Sequence, residues 1–302
     1  MAQLIYDYTI NNSIERQTLP MKTLLKSNTI EVTIDTEGLV IMIGEKINPT
    51  GRKKLSRMLK ERNFDYIKEI ASKQVNAGAD VLDVNVGVPG EDEVTLLPQV
   101  VKIVAEHVDI PLCLDSANPE ALKAGLDVAP GKPLVNSVNG EEASLKNVLP
   151  IVKDRGAAVI GLTMDNDGIP NEPEKRVAIA GKIIERAAKV GISVEDVVID
   201  PLVLTVGADH NAGAVTLRTI KMIRKEFGVN INLGASNVSF GLPERHIINQ
   251  AFLALATMAG ASCMITDPTK LALPIRAIDL LLGRDEFGRA YITHYRRTQK
   301  ME

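Results

Sequence analysis

The 302-residue chain contains no tryptophan, only five tyrosines and five phenylalanines, and two cysteines. With 45% apolar residues and so few rings, it can bury one large aliphatic core, and a single domain is expected at this length. Cys113 and Cys263 lie far apart, each inside an apolar run, which excludes a disulfide framework and suits small buried hydrophobes in a reducing compartment. Positive charge is not in surplus either: the formal net charge is −3, so the basic stripe that a nucleic acid backbone requires is missing. No apolar run approaches the roughly 18 residues of a membrane span. The first twenty residues carry acids and amides where a secretory leader would carry a basic start and an apolar stretch. These absences lead to the expectation of a soluble cytoplasmic protein without nucleic acid or membrane partners.

What is present is a regular alternation. From residue 39 onward, short β-branched runs alternate with longer amphipathic stretches, the pattern of repeated strand and helix crossovers in a parallel sheet. Eight runs are expected to be strands: 39–44, 80–86, 111–115, 133–138, 157–163, 196–200, 231–236 and 262–267. Helices are expected over 65–77, 174–190 and 244–259, among others, from apolar residues three and four apart. Gly78, Gly125, Gly156, Gly191, Gly228 and Gly260 follow helical patterns and precede strands, where a residue able to adopt positive φ ends a helix. Eight units of about 33 residues close a barrel, so the predicted fold is an α/β (β/α)₈ TIM barrel over residues 39–302. Residues 1–38 stand outside the repeat as an N-terminal extension. The alternating segment 28–35 is expected to form a hairpin or to cover the bottom of the barrel, with the extreme end mobile.

In such a barrel the active site forms where strands end and the following loops begin. Polar residues concentrate there: Glu45 and Asn48, Asp83 and Asn85, Asp115 and Ser116, Asn136 and Ser137, Asp200, Ser236 and Asn237, and Asp267. Any one of them serves equally well as a helix cap or a loop acceptor. As a set, carboxylates gathered in one mouth repel and lose solvation unless donors or a cation compensate them. Four histidines without paired spacing argue against zinc, whereas an all-oxygen magnesium site from Asp83, Asp115 and Asp200 stays open. A donor-rich organic ring fits better. The edge of a pterin offers an amino group and a ring N–H that one carboxylate accepts together, and amides such as Asn136 and Asn237 can both donate and accept. Ile43 and Met164 are candidates to sandwich the flat faces.

The strings GEKIN (44–48), LDVNVG (82–87), LCLDS (112–116), NSVN (136–139), GLTMD (161–165), IDPL (199–202) and SNVS (236–239) resemble, in order, the methyltetrahydrofolate:corrinoid methyltransferases. This pterin-binding barrel family includes the folate module of cobalamin-dependent methionine synthase and stand-alone acetogen enzymes. The resemblance implies that Asp115, Asn136 and Asp200 hold the pterin edge, that Asp83 and Asn85 line the same site, and that Asn237 contacts N5, the methyl-bearing atom. Phe240 departs from the pattern, standing where a polar side chain is usual. The implied substrate is tetrahydrofolate or 5-methyltetrahydrofolate. An Asn at N5 can stabilise the protonated amine through its carbonyl oxygen, and a hydrogen bond that strengthens as charge develops lowers the transition state more than the ground state.

The corrinoid (cobalamin) is expected on a separate corrinoid protein. Residues 209–213 approach the cobalt-ligating DxHxxG motif of family carriers but lack the intervening residue. Relatives are commonly homodimers. Transfer in either direction fits the barrel, including from methylcorrinoid to tetrahydrofolate in a demethylation pathway. The rival on the same fold, dihydropteroate synthase, needs basic residues for a pyrophosphate, and no Arg stands near residues 234–239. A Schiff-base aldolase has only Lys46, placed just past the first strand, as a near miss. A non-catalytic folate-binding subunit is the third alternative.

Overall fold

The computed structural model describes residues 20–299. The expectation of a mobile extreme N-terminus falls outside them, as does the reading of the leader. The first elements among the described residues are two antiparallel strands, β1 (Lys22–Lys26) and β2 (Glu31–Asp35), joined as a hairpin. Parallel strands then alternate with helices: β3 (Ile41–Ile47), β4 (Val81–Asn85), β5 (Leu112–Asp115), β6 (Leu134–Asn139), β7 (Ala158–Leu162), β8 (Val197–Asp200) and β9 (Cys263–Thr266). These seven lie in the order β8-β7-β6-β5-β4-β3-β9.

The barrel's eighth stave corrects the sequence reading. Residues 231–236 do not form a ladder strand. Residues 231–234 bridge β8 through Ile199 and Ile231 and bridge β9 through Gly234 and Ile265. Backbone bonds Asn232 N to Ile199 O (2.9 Å) and Ile265 N to Leu233 O (2.9 Å) close the barrel between those two strands. The segment stays irregular because Ala235–Ser239 tightens immediately into a 3₁₀ turn.

Helices cover the outer wall: α1 (Lys53–Lys60), α2 (Phe64–Asn76), α3 (Glu93–His107), α4 (Pro119–Val128), α5 (Glu142–Arg155), α6 (Pro173–Lys189), α7 (Ala212–Phe227), α8 (Arg245–Ala259), α9 (Pro268–Leu281) and α10 (Arg289–Gln299). Asn63, Asp92, Asn118 and Asp267 cap the N-termini of α2, α3, α4 and α9 by accepting backbone N–H groups. Gly156 ends α5 in the left-handed region, as expected of a C-terminal glycine. Gly125 instead lies inside α4, where a Cβ would meet Leu114 at 2.9 Å and Leu97 at 3.1 Å; its role is close helix packing, not termination. No helix among the described residues is long and apolar enough to cross a membrane.

The strand alternation sorts two cores. Met42, Leu82, Val84, Leu114, Val135, Val159 and Ile199 pack outward against the helices. Ile41, Ile43, Val81, Cys113, Leu134, Ala158, Ile160, Val198 and Cys263 fill the inside. Leu25 and Ile34 of the hairpin belong to that inner cluster, so the hairpin plugs the end of the barrel where the strands begin. Asn230 fastens the plug with its amide, donating to Thr23 Oγ1 at 3.0 Å and Ile34 O at 2.9 Å. With one end plugged by apolar side chains, the other end is left for a ligand.

Candidate pterin site

The inner alternation changes chemistry along each stave. Two residues beyond Val81 stands Asp83, and two further Asn85; beyond Cys113 stands Asp115, beyond Leu134 stands Asn136, and beyond Val198 stands Asp200. Apolar residues therefore floor the barrel and polar ones ring its mouth. Ladder register places the ring residues side by side: Asn85 is paired with Asp115, and Asp115 with Asn136. Neighbouring strands lie about 4.8 Å apart, so the three residues form a row roughly 10 Å long. Just above Asn136, β6 carries an extra residue, Ser137, opposite β7; such a bulge re-aims the side chains beside it.

Burial sets the electrostatics of this ring. Asp200 is held in a polar cradle by Asn232 Nδ2 at 2.7 Å and the Leu202 N–H at 2.8 Å. Loss of water still dominates, lifting its carboxyl to about 6. Asp115 is likewise lifted to about 6 by burial, with Glu93 nearby adding to the rise and a hydrogen bond from Asn85 opposing it. Asp83 is pushed well above the usual carboxylate range by burial and then by the charge of Asp115; Asn136 Nδ2 donates to its Oδ1 at 3.2 Å. Three carboxylates poised to accept protons or donors face an interior that supplies few. Among the described residues no group of acids, histidines or cysteines has the arrangement to hold a metal ion, so the magnesium alternative lacks a geometric basis.

The remaining expected residues occupy the rim. Glu45 Oε2 accepts from Ser236 Oγ at 3.1 Å, joining the first and eighth staves. Asn237 sits on the 3₁₀ turn Ala235–Ser239, exposed, and its side-chain amide has no partner among the described residues. Met164 follows β7 and is partly exposed, but Ile43 is fully buried in the inner layer and cannot cover the face of a ring. The Asn48 oxygen closes a turn by accepting from Thr50 N at 3.0 Å, and Asp267 is spent capping α9. Lys46 lies within β3 rather than past it, and its ammonium is paired with Asp267 at 2.6 Å. The His210 side chain is 91% exposed.

Sequence reasoning missed Asn232, Glu93, Arg52 and Arg245. Asn232 was readable, because it stands at the inward period of a run that also contains Ile231 and Leu233. Glu93 comes from the first turn of α3 and accepts from Ser116 Oγ at 2.6 Å; nothing local to either residue announces the pairing. Arg245 reaches back from α8 to the Ser236 carbonyl at 2.6 Å, placing a guanidinium at the loop where no nearby Arg stands in sequence. It lies over the ring of Phe240, 5.8 Å from the centroid.

A family model described as "Pterin binding enzyme" matches residues 44–267, the span from the first ring strand to the last. The chain is 35% identical over 265 residues to the methylcorrinoid:tetrahydrofolate methyltransferase of Eubacterium limosum, covering 85% of this chain and 96% of that protein. It is 31% identical over 252 residues to methionine synthase of Mycobacterium tuberculosis, covering 79% of this chain but only 21% of that much longer relative. Among solved structures, dihydropteroate synthase of Yersinia pestis superposes with a TM-score of 0.67 at 17% identity, over 86% of this chain and 99% of that one. That likeness is one of fold. The polar mouth described above thus sits on the matched staves, and the chain belongs to the pterin-binding enzyme family.

Proposed function

We propose that the protein is a methyltransferase that moves a methyl group from a methylcorrinoid, carried by a separate protein, to N5 of tetrahydrofolate. The observation that carries this reading is the registered row of Asn85, Asp115 and Asn136 at the mouth of a plugged barrel. The identity to the Eubacterium limosum enzyme, which extends over nearly that protein's whole length, supports both the reaction and its direction. The dihydropteroate synthase alternative draws only on the shared fold.

In this reading Asp115 accepts the amino and ring N–H groups of the pterin, which restores to its buried carboxylate the donors that burial removed. Asn136, with one N–H committed to Asp83, offers its remaining N–H and its carbonyl to the ring. Asp200 and Asn232 complete the edge from the opposite side, and Asp83 and Asn85 brace the row. Glu45, Ser236 and Asn48 shape the rim, and Met164 lies against a ring face. The amine N5 attacks the methyl carbon, the electron pair of the cobalt–carbon bond stays on cobalt, and N5 then loses its proton to water. Asn237 stabilises the positive charge that builds on N5 through its side-chain oxygen, without acting as acid or base.

Mixing the protein with tetrahydrofolate and methylcobalamin, with the cobalt spectrum followed in a stopped-flow instrument, tests the proposal. Conversion of methyl-Co(III) to Co(I) is expected; folate binding without it would assign the chain as a folate-binding subunit. Asn237→Ala should lower kcat roughly 100-fold with little change in KM. Equal modest losses in both would remove Asn237 from the transition state.

Two further features belong to the same reading. Leu255, Met258, Leu281 and Phe287 leave an apolar surface on α8, α9 and the turn before α10, with Leu281 85% exposed; a second copy of the chain would cover it as a homodimer. Both free cysteines are buried, which fits a reducing cytoplasm.

A further inference from the structure

Away from the mouth, at the end of the barrel where the strands begin, a pocket of about 390 Å³ lies between α9, α10 and the turn that leads from α2 into β4. Three guanidiniums line it, Arg276 of α9 and Arg289 and Arg297 of α10, against one carboxylate, Asp80. In a chain whose net charge is −3, this is a local excess of positive charge. The innermost guanidinium is engaged: Arg276 Nη1 donates to the Val40 carbonyl at 2.9 Å and pairs with Asp279 at 3.1 Å, while its Nη2 meets Asp80 at 3.1 Å. Asp80 also accepts from the Met42 N–H at 2.8 Å. The outer two guanidiniums are exposed and unengaged. Among the described residues, Arg289 has only Glu286 at 4.0 Å, and Arg297 has no carboxylate within 4.0 Å. Arg289, Thr293 and Arg297 stand four residues apart along one line of α10, so the threonine hydroxyl lies between the two forks. Gly78 shapes the inner wall. Its φ is +101, and a Cβ there would stand 3.1 Å from Arg297 Nη2 and from His294 Nδ1, so glycine is what lets the guanidinium and the imidazole close on the backbone. His294 is buried, and burial, with Arg297 and Arg276 beside it, holds its imidazole below the usual value and neutral at pH 7.

We infer that this pocket is a second ligand site, one that binds a small phosphate-bearing anion. Two planar forks with free N–H groups and a hydroxyl between them match the oxygens of a phosphoryl group, which a guanidinium binds through paired hydrogen bonds. A dianion there offsets the Arg276 and Arg297 charges that oppose protonation of His294, so the imidazole gains a proton and becomes a further donor to the ligand. No aromatic ring lines the pocket, and Ala79 and Ala290 supply only small apolar surfaces. A phosphate ester of a short carbon chain, or pyrophosphate, therefore fits, whereas a nucleotide base has nothing to stack on. The site is separate from the pterin mouth, because β4 starts beside Asp80 at this end and delivers Asp83 and Asn85 to the other. It stands whether or not the barrel binds folate.

Titration calorimetry of the full chain with inorganic phosphate, pyrophosphate and glycerol 3-phosphate tests the assignment. At least one of them should bind with a Kd below about 1 mM; the tightest of the three tells an inorganic ligand from an ester. Arg289→Gln and Arg297→Gln, each of which alters an exposed side chain, should weaken that binding roughly 10-fold or more and leave the affinity for folic acid unchanged. The four histidines report the location by NMR of histidine-labelled protein. The ring signal of His294, assigned by its loss in His294→Gln, should move toward the imidazolium position as the anion is added. His246, which lines the depression at the mouth, should stay where it is. Failure of all three anions to bind would overturn the site. So would binding that both arginine variants retain, or that folic acid displaces, or that moves His246 and not His294, since the anion would then sit among the cations of the mouth.

Discussion

Acidification from pH 7 to pH 5 is expected to weaken folic acid binding by roughly 100-fold. Asp115 and Asp200 are both lifted to about 6 by burial. A pterin edge offers donors, so it binds the ionised carboxylates and not the protonated ones. At pH 7 each group is about nine-tenths ionised; at pH 5 each is about one-tenth ionised, and two such groups multiply to the hundredfold, or about 2.7 kcal/mol. The same two groups act on stability in the opposite sense. Their folded pKa lies above the unfolded value near 3.9, so the unliganded fold binds extra protons between pH 4 and 6 and gains stability as pH falls through that window, on the order of 1 kcal/mol per group between pH 7 and 5. Folic acid is the probe of choice because its N5 lacks the basic amine of the reduced ring. Calorimetry in buffers of different ionisation enthalpy should show proton release on binding near pH 6, and Asp115→Asn should abolish about half of it. Affinity that stays flat from pH 5 to pH 8 would refute the argument, since it would mean that neither carboxylate meets the ligand in its charged form.

Two structural predictions follow from close contacts. Gly131 has φ +60, and a Cβ there would stand 2.2 Å from the Lys26 carbonyl oxygen, where the bridge from Lys26 to Lys132 docks the hairpin. Gly131→Ala should cost more than about 2 kcal/mol and expose residues 20–36 to limited proteolysis; an unchanged digestion pattern would mean that the plug is not held there. Buried Arg176 donates to the carbonyls of Pro170 (2.7 Å), Pro201 (2.9 Å) and Leu202 (2.9 Å), tying the loops after β7 and β8 together beside Asp200. Arg176→Met strands the Pro170 and Pro201 carbonyls, while Leu202 O keeps its bond from Thr216 Oγ1 at 3.1 Å, and should destabilise the protein by about 3 kcal/mol, a drop of roughly 6–12 °C in the midpoint of a calorimetric melt.

Much of the barrel was legible because its signals are local. A strand buried on both faces reads as a short β-branched run, and the helix over residues 174–190 announced itself through apolar spacing, emerging as Pro173–Lys189. The failures came where two sequence-distant segments decide the outcome. Residues 231–236 have the composition of a strand, yet only 231–234 reach the neighbouring staves, since the 3₁₀ turn that displays Asn237 consumes the rest. Gly125 carries the signature of a helix end, but its neighbour is Leu97 from the preceding helix, a contact that spacing cannot reveal.

The candidate site divides along the same line. Period-two alternation alone locates Asp83, Asn85, Asp115, Asn136 and Asp200 on the inner face, because each stands two or four residues beyond an apolar floor residue. What alternation does not provide is the partner of each group. Asn232 satisfies Asp200 across a gap of 32 residues, Glu93 meets Ser116 from another helix, and Arg245 folds back over the Ser236 loop. Those partners decide which carboxylates stay hungry for donors. Asp267, equally polar and equally placed at a strand end, is saturated by Thr269 and Lys46 and drops out of the ring. Asp115, with one amide beside it and Glu93 behind it, does not, and that difference in satisfaction, not the presence of a carboxylate, is the ground on which we propose it as the pterin acceptor.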